Sequence, residues 1–305
     1  MNLGIFLITS MIIVGSDALS IQEDTLKRGN FTEYIETNHR RSYITLFDGI
    51  GNIDPLYFEA HLAPYYLIRL KEESKWAIEL SPQMAIRMRR ESSFPIRTPS
   101  YMPRVTYYHN FYEKFSMRNH VIPFVSLVHH SNGQKGDFYN EDGTINTHSG
   151  NFATNFIEAG TFVTRLNDKN RNRRDYFKSY ASYHFANDPN LKGKYGVFRL
   201  NFEYQLIYQL SSYHDKTGKK KRINEKHRLR QSLRVGWIFG EMNDASATNL
   251  KERLNFKYTL SYHPKIAEDM SIFIQYYYGQ DYYNIHFNEN ISILRIGLMT
   301  DQLEF

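Results

Sequence analysis

From residue 57 onward, apolar and polar side chains alternate along the chain with a period of two. In one run the apolar positions are Phe58, Ala60 and Leu62, with Glu59 and His61 between them. Alternate residues of a β-strand point to opposite faces, so this pattern predicts strands. The same alternation returns in 75–90, 194–212 and 251–262.

Counting the runs gives twelve predicted strands. They lie near 41–49, 56–71, 75–90, 101–113, 119–131, 151–166, 173–187, 194–212, 226–240, 251–262, 268–280 and 290–304. Many are ten residues or longer, the length of a tilted membrane strand rather than of a strand in a soluble sheet. Their polar faces are rich in Arg, Lys and Glu, as a closed polar lumen requires. The pattern predicts an all-β, antiparallel transmembrane β-barrel of about 12 strands, with a soluble β-sandwich as the alternative.

The amino-acid composition also favours a membrane barrel and excludes some kinds of site. The 305 residues include 24 Tyr and 21 Phe, which suits the aromatic girdles of a membrane barrel. Cysteine is absent from the sequence, which excludes disulfides and thiolate metal sites. The net charge of +6 is spread along the chain and does not indicate nucleic acid as a partner.

The first residues predict export. A short apolar run, Ile5–Val14, precedes the small residues Ala18 and Ser20, as in a signal peptide, although no Lys or Arg comes before it. We therefore divide the chain into a signal peptide (1–20), an N-terminal periplasmic segment (21–40) and an outer-membrane barrel (41–305). The terminal aromatic Phe305 is typical of a last outer-membrane strand.

The candidate chemistry lies at the end of the predicted strand 119–131. His129 and Ser131 share the parity of the apolar residues before them and should be about 6–7 Å apart along the strand. If that face meets lipid, a nucleophile and base there can attack only a substrate dissolved in the membrane. Asn155 has the same parity on the next strand and completes a Ser-His-Asn triad, with Asn151 as a rival. His130 has the opposite parity and is predicted to face the lumen.

These residues resemble those of a known family, the bacterial outer-membrane phospholipase A. The resemblance consists of the H-x-S-N-G motif at 129–133, of Ser92-Ser93-Phe94-Pro95 with Tyr101 and Pro103, and of 276–284. It implies hydrolysis of phospholipid acyl esters of the A1, A2 and lysophospholipase types in the bacterial outer membrane. By motif position, His129, Ser131 and Asn155 inherit the triad roles, and the Gly133 N–H would bind the oxyanion.

The same resemblance implies calcium and a calcium-dependent homodimer. Ser93, or Ser92 with a shift of one residue, matches the upstream serine ligand. Gln134 stands where family members normally have Arg, and a ligand supplied by its backbone carbonyl would survive that change. Ser149, in the long loop 132–150, matches the third ligand. Oxygen ligands of these kinds suit calcium.

The competing hypothesis is a non-enzymatic outer-membrane barrel, either a pore or an inactive lipase-like relative. Gln134 and the length of loop 132–150 favour it. We interpret three other patterns as having no function of their own. Lys219–Arg222 is predicted to be a solvated turn, and Asn30-Phe31-Thr32 matches a glycosylation sequon by coincidence. The acidic residues of loop 132–150 are predicted to be exposed charges. Those acidic residues are Asp137, Glu141 and Asp142, which lack the spacing of an EF-hand.

Overall fold

The structure is a computed structural model that describes most of the chain. The described residues are 31–71, 74–111, 120–166, 173–209, 228–264, 267 and 269–300. The predicted signal peptide, the run Lys219–Arg222 and the terminal Phe305 lie outside them. Within the described ranges, no helix is both long enough and apolar enough to cross a membrane.

The described residues form thirteen strands and two short α-helices. The strands are β1 (Tyr43–Thr45), β2 (Leu56–Leu62), β3 (Tyr66–Ile68), β4 (Trp76–Arg89), β5 (Ser100–His109), β6 (His120–Ser131), β7 (Ala153–Leu166), β8 (Arg173–Asn187), β9 (Phe198–Gln209), β10 (Arg228–Phe239), β11 (Leu254–His263), β12 (Met270–Gln280) and β13 (Asn290–Thr300). The helices are α1 (Phe31–Glu36) and α2 (Leu250–Arg253), and 3-10 turns cover Pro189–Leu191 and Asn284–Asn288.

The strands close into a twelve-stranded antiparallel barrel, which confirms the predicted fold class and excludes the sandwich. From β4 to β13 each strand pairs with the next, and β1 joins β13 to β2. Both β2 and β3 pair with β4, so they are one wall position interrupted at 63–65. The interruption contains Pro64, which has no N–H to offer the ladder.

Within the described ranges, ten of the predicted strands are found within a few residues of their expected bounds, the strand 56–71 is divided into β2 and β3, and one strand is shorter than predicted. Only Tyr43–Thr45 of the first predicted strand, 41–49, forms a regular strand. Beyond it Gly49 and Gly51 have φ of 75° and 89°, and a side chain at either would meet the backbone of β13. The segment still touches β13 through an isolated bridge from Ile50 to Leu294.

The two faces of the wall have the polarity of a membrane barrel. Outward positions such as Val125 and Leu127 are apolar and exposed. Inward positions carry buried ion pairs: Arg87 donates to Glu59 at 2.9 Å and to both oxygens of Asp281 at 2.6 and 2.8 Å. Arg295 donates to the other oxygen of Glu59 at 2.7 Å. A soluble protein would place these two faces the other way round.

Packed side chains occupy the lumen at both ends of the barrel. At the end where Ser42 and Thr300 lie, helix α1 packs against inward aromatic residues, and the Tyr34 hydroxyl donates to the Thr164 carbonyl at 2.5 Å. We call this the terminal plug; it consists of Phe31, Tyr34, Ile35, Tyr108, Ile122, Phe124, Phe162, Tyr176 and Tyr180. At the opposite end, the loop plug consists of Phe138, Phe152, Leu191, Tyr195, Ile285 and Phe287. The described part of the segment 21–40 thus lies inside the barrel.

Candidate active site

The candidate site begins where β6 reaches the loop end of the barrel. Strand alternation turns His129 outward, where it is exposed, and turns His130 inward, where it is buried. Residues of β7 oppose those of β6 in the register His129 to Asn155 and Ser131 to Ala153. Because directly opposed residues point to the same face of the sheet, Asn155 lies beside His129 on the outer surface.

Hydrogen bonds join the three outward side chains in a chain. His129 Nδ1 lies 2.8 Å from Asn155 Oδ1, and His129 Nε2 lies 2.9 Å from Ser131 Oγ. An amide oxygen can only accept, so Nδ1 carries the proton and Nε2 is left to accept the Ser131 hydroxyl proton. This tautomer is the one that a histidine needs to act as base toward a serine.

The turn that follows Ser131 is held by a buried asparagine. Asn132 Nδ2 donates to the Gly150 carbonyl at 2.8 Å, and its Oδ1 accepts from Phe152 N at 3.0 Å and Gln134 N at 3.2 Å. Gly133 has φ of 66°, the left-handed region that glycine adopts without strain. The side chain of Asn132 therefore ties the Gly133 turn to the residues that lead into β7. The motif contains Asn132, yet local sequence does not reveal this role.

Asn151, the alternative third member of the triad, and His130, the neighbour of His129, both lie away from the Ser131–His129–Asn155 series. Asn151 Nδ2 donates to Asp188 Oδ2 at 3.1 Å, in the loop region before β7. His130 Nε2 lies 3.1 Å from Ser100 Oγ inside the barrel, and its ring packs edge-on to Phe152 at 5.0 Å. The structure thus brings Asn155, rather than Asn151, into hydrogen-bonding contact with His129, and it turns His130 to the lumen.

The three predicted calcium ligands lie in loops at this end of the barrel. Ser93 is exposed in the connection between β4 and β5, and Gln134 is partly buried in the turn after β6. Ser149 Oγ accepts a hydrogen bond from Asn146 Nδ2 at 3.2 Å. Hydroxyl and carbonyl oxygens have the chemistry that calcium requires. Ser149 is held within its own loop, whereas Ser93 is open to solvent.

Loop 132–150 has a compact structure of its own. A bridge between Tyr139 and Ile145 forms a small hairpin, and Gly136 pairs with Gly150 at its base. At the tip, the Thr144 hydroxyl and backbone N–H donate to Asp142, and both lower the pKa of that carboxyl group. Asp137, Glu141 and Asp142 are exposed, as predicted for solvated loop charges.

One further group of potential metal ligands occurs in the described residues. Asp281, His286 and Glu289 place ligand atoms within 4.8 Å of one another. Asp281 is already held by both terminal nitrogens of Arg87, and His286 Nε2 lies 2.9 Å from Arg89. Two arginines take the place that a cation would need, so the group belongs to the inner ion-pair network.

Comparison with known proteins shows similarity in fold. No family model matches the chain, and no curated protein matches its sequence. The structure of outer membrane phospholipase A from Escherichia coli superposes with a TM-score of 0.53 at 13% identity, over 93% of this chain and 95% of that one. The calcium-bound dimer of the Salmonella typhi enzyme gives 0.52 and 13%, over 87% and 91%. The resemblance stated from the sequence is confirmed for the fold.

Proposed function

We propose that this chain is an outer-membrane phospholipase that hydrolyses the acyl esters of membrane phospholipids and lysophospholipids. The observation that carries the proposal is the hydrogen-bonded series Ser131–His129–Asn155 on the outward, apolar face of the barrel. A serine nucleophile, a base and an orienting group in this order are the requirements of acyl transfer. Their position outside the lumen selects a substrate that is dissolved in the bilayer.

The side chains support a two-stage reaction. His129 Nε2 takes the Ser131 hydroxyl proton while Ser131 Oγ attacks the ester carbonyl, and the resulting imidazolium returns that proton to the leaving alcohol. Water then attacks the acyl-serine ester while His129 takes its proton, and the imidazolium returns that proton to Ser131 Oγ as the fatty acid leaves. Asn155 keeps the imidazole in its tautomer because its Oδ1 accepts a hydrogen bond from Nδ1–H. The Gly133 N–H is the proposed donor to the carbonyl oxygen as negative charge develops there.

Calcium and a second copy of the chain belong to the same proposal. Ser93, the Gln134 carbonyl and Ser149 would hold the ion. Its positive charge would stabilise the negative charge that develops on the ester carbonyl oxygen. The exposed apolar face around Val125 and Leu127 offers a surface to a second subunit. The Salmonella typhi neighbour is itself a dimer with bound calcium. We expect chelation to remove the activity and excess calcium to shift detergent-solubilised monomer to dimer; a fully active chelated monomer would contradict this part.

Packing in the lumen argues against the alternative of a conducting pore. Within the described residues, the terminal plug and the loop plug fill the two ends of the barrel with buried aromatic side chains. The formed Ser–His–Asn series likewise argues against an inactive relative. Bilayer conductance, without labelling by a serine-directed fluorophosphonate, would reverse this preference.

The deciding experiment is labelling of the folded protein in detergent by a fluorophosphonate. We expect one modified serine, mapped by mass spectrometry to Ser131, together with fatty-acid release from mixed micelles. Ser292→Ala is a matched control because Ser292 is also an outward-facing serine near the loop end, on β13. That variant should keep both labelling and hydrolysis. Hydrolysis without modification of Ser131 would sink the assignment.

A further inference from the structure

A chamber with a surplus of positive charge lies in the lumen between the two plugs. Its volume is about 330 Å³, and its walls include Arg40, Lys178 and Lys257 together with the carboxylates of Glu158 and Glu203. These side chains are inward-facing and are not used by the proposed esterase site, which is on the opposite face of the wall. The surplus of positive charge in the chamber is therefore not accounted for by the esterase chemistry.

Each carboxylate that lines the chamber already has an arginine partner. Glu203 Oε2 accepts from Arg234 at 2.7 and 3.1 Å. Glu158 forms an ion pair with Arg104. Asp281, the third, is bound by Arg87. Therefore none of these carboxylates has Arg40, Lys178 or Lys257 as its only cationic partner.

Three other cations of the chamber wall, Arg40, Lys178 and Lys257, have weaker partners. Lys178 Nζ donates to Asn38 Oδ1 at 2.8 Å and lies over the rings of Phe124 and Tyr180, 4.5 and 4.9 Å from their centroids. Arg40 reaches Glu158 only at 4.0 Å, and Glu158 is shared with Arg104.

Lys257 is the cation with the least direct compensation. No hydrogen bond joins its Nζ to another residue in the described ranges, and it interacts electrostatically with Glu203 and with three arginines, Arg234, Arg40 and Arg295. Arg40 also interacts electrostatically with Lys178. Arg40 is thus close enough to influence both lysines around a single cavity. Gathering like charges away from bulk water is unfavourable without an opposing charge.

A buried amide adds a hydrogen-bond donor to the same cavity. Gln280 lines the chamber, is 4% exposed, and accepts from Arg199 through its Oε1 at 3.0 Å. Its Nε2 has no hydrogen-bond partner among the described residues. Because a buried donor is costly when unpaired, the wall presents unmet donors as well as unmet positive charge. Both demands are met by an anion whose oxygens accept several hydrogen bonds.

A cleft at the terminal end lies next to the chamber. Its volume is about 460 Å³, and its lining includes Ser42, Pro64 and Thr300. The cleft and the chamber share His39, Arg40 and Arg41 in their linings. An anion that entered through this cleft would pass basic side chains, which favours its capture.

We propose that this chamber is a binding site for a small oxyanion of the phosphate class, held by the charges of Arg40, Lys178 and Lys257. The site takes the ion from the terminal end, which in the proposed membrane orientation is the periplasmic side. Binding there is independent of the esterase chemistry, since the two sites use opposite faces of the barrel wall.

The test is equilibrium binding of radiolabelled orthophosphate to the full chain folded in detergent, at constant ionic strength set with chloride. We expect one saturable site, and we expect Lys257→Met and Lys178→Met each to weaken it at least about tenfold, the cost of about 1.4 kcal/mol of binding free energy. Lys251→Met is the matched control because Lys251 is exposed on α2; it should bind as the parent does. Ser131→Ala should bind phosphate normally, which separates this proposal from the esterase assignment.

A second measurement needs no variant to fold. At a phosphate concentration one hundred times the dissociation constant, the unfolding equilibrium of the parent protein should shift about 100-fold relative to chloride at equal ionic strength. Competition by glycerol 3-phosphate would show that the site accepts a phosphate monoester; its failure would assign the site to the free ion. Absence of both saturable binding and phosphate-specific stabilisation would overturn the proposal, as would binding that neither lysine variant weakens.

Discussion

Strand β6 carries two neighbouring histidines, one on each of its faces, and each of them contacts a serine, Ser131 of β6 outside and Ser100 of β5 inside. Outside, His129 contacts Ser131 at 2.9 Å; inside, His130 contacts Ser100 at 3.1 Å. The residue types and distances are alike, but the surroundings differ. The inner serine is fully buried and also accepts a hydrogen bond from Asn284 Nδ2 at 2.9 Å. The outer serine lies at the surface, beside an exposed histidine whose other nitrogen is bound by Asn155.

This difference shows what turns a Ser–His contact into a candidate catalyst. A serine that is enclosed and shared between two side chains cannot reach a substrate, so the inner pair serves to hold β5, β6 and the 284–288 turn together. The outer serine has a histidine set by a third residue and an open approach from the apolar surface. Access and the orientation of the base, rather than the presence of the pair, separate the two roles.

The largest effect should come from the two serines. Ser131→Ala should lower fatty-acid release by on the order of 10³-fold or more, because the nucleophile is lost. Ser100→Ala should leave kcat nearly unchanged but destabilise the fold by about 1–3 kcal/mol, because buried partners lose their hydrogen bonds. Initial rates on mixed micelles and urea unfolding measure the two quantities. A Ser100→Ala variant that is stable but inactive would contradict the assignment of a structural role to Ser100 and a catalytic role to Ser131.

The adjacent histidines offer the next comparison. His129→Ala should lower kcat by about 10²–10⁴-fold, the usual contribution of a positioned general base. His130→Ala should act mainly on stability, since its ring packs on Phe152 within the loop plug. Fluorophosphonate labelling rates report the loss of the base directly. Equal loss of labelling in both variants, with both folded, would contradict the division of roles.

A smaller effect is expected at the orienting residue. Asn155→Ala should reduce kcat by on the order of 10²-fold, because the base is retained but its tautomer is no longer fixed. Asn151→Ala is the control, since Asn151 contacts Asp188 instead of His129. Its kcat should match that of the parent protein. If the two asparagines exchanged these outcomes, Asn151 would take the third place in the triad.

The smallest effect is expected in the loops that flank the outer pair. Ser93→Ala should raise the calcium concentration for half-maximal activity several-fold, because one oxygen ligand is removed while others remain. Rates at saturating calcium should recover to nearly the parent value. Ser92→Ala tests the alternative register of the same motif and should leave the requirement unchanged. By contrast, Ser100→Ala should lower the free energy of unfolding by the same amount with and without calcium.

Sequence alternation was sufficient to locate the wall and the face on which the outer pair lies. Parity alone put His129, Ser131 and Asn155 on one side, because strand geometry fixes every second side chain. Parity could not choose between Asn155 and Asn151, since that choice depends on the register between β6 and β7, which places Asn155 opposite His129.

Long-range features were out of reach for the same reason. Helix α1 is six residues long, and its position depends on contacts such as that of Tyr34 with Thr164, far along the chain. The pairing of Arg87 with Asp281 likewise crosses the lumen between distant segments. Local pattern shows that such residues face inward, but only the closed wall determines which of them meet.

The shortness of β1 has a consequence for how the barrel assembles. The wall closes where Tyr43–Thr45 meets the end of β13, so its final pairing joins the two extremes of the barrel sequence. Pairings between distant segments form slowly, because the chain loses much conformational freedom before the contact stabilises it. Until that moment β13 is an unpaired edge, open to another strand. This seam is therefore where we expect folding to finish and where the barrel should first come apart under force or denaturant.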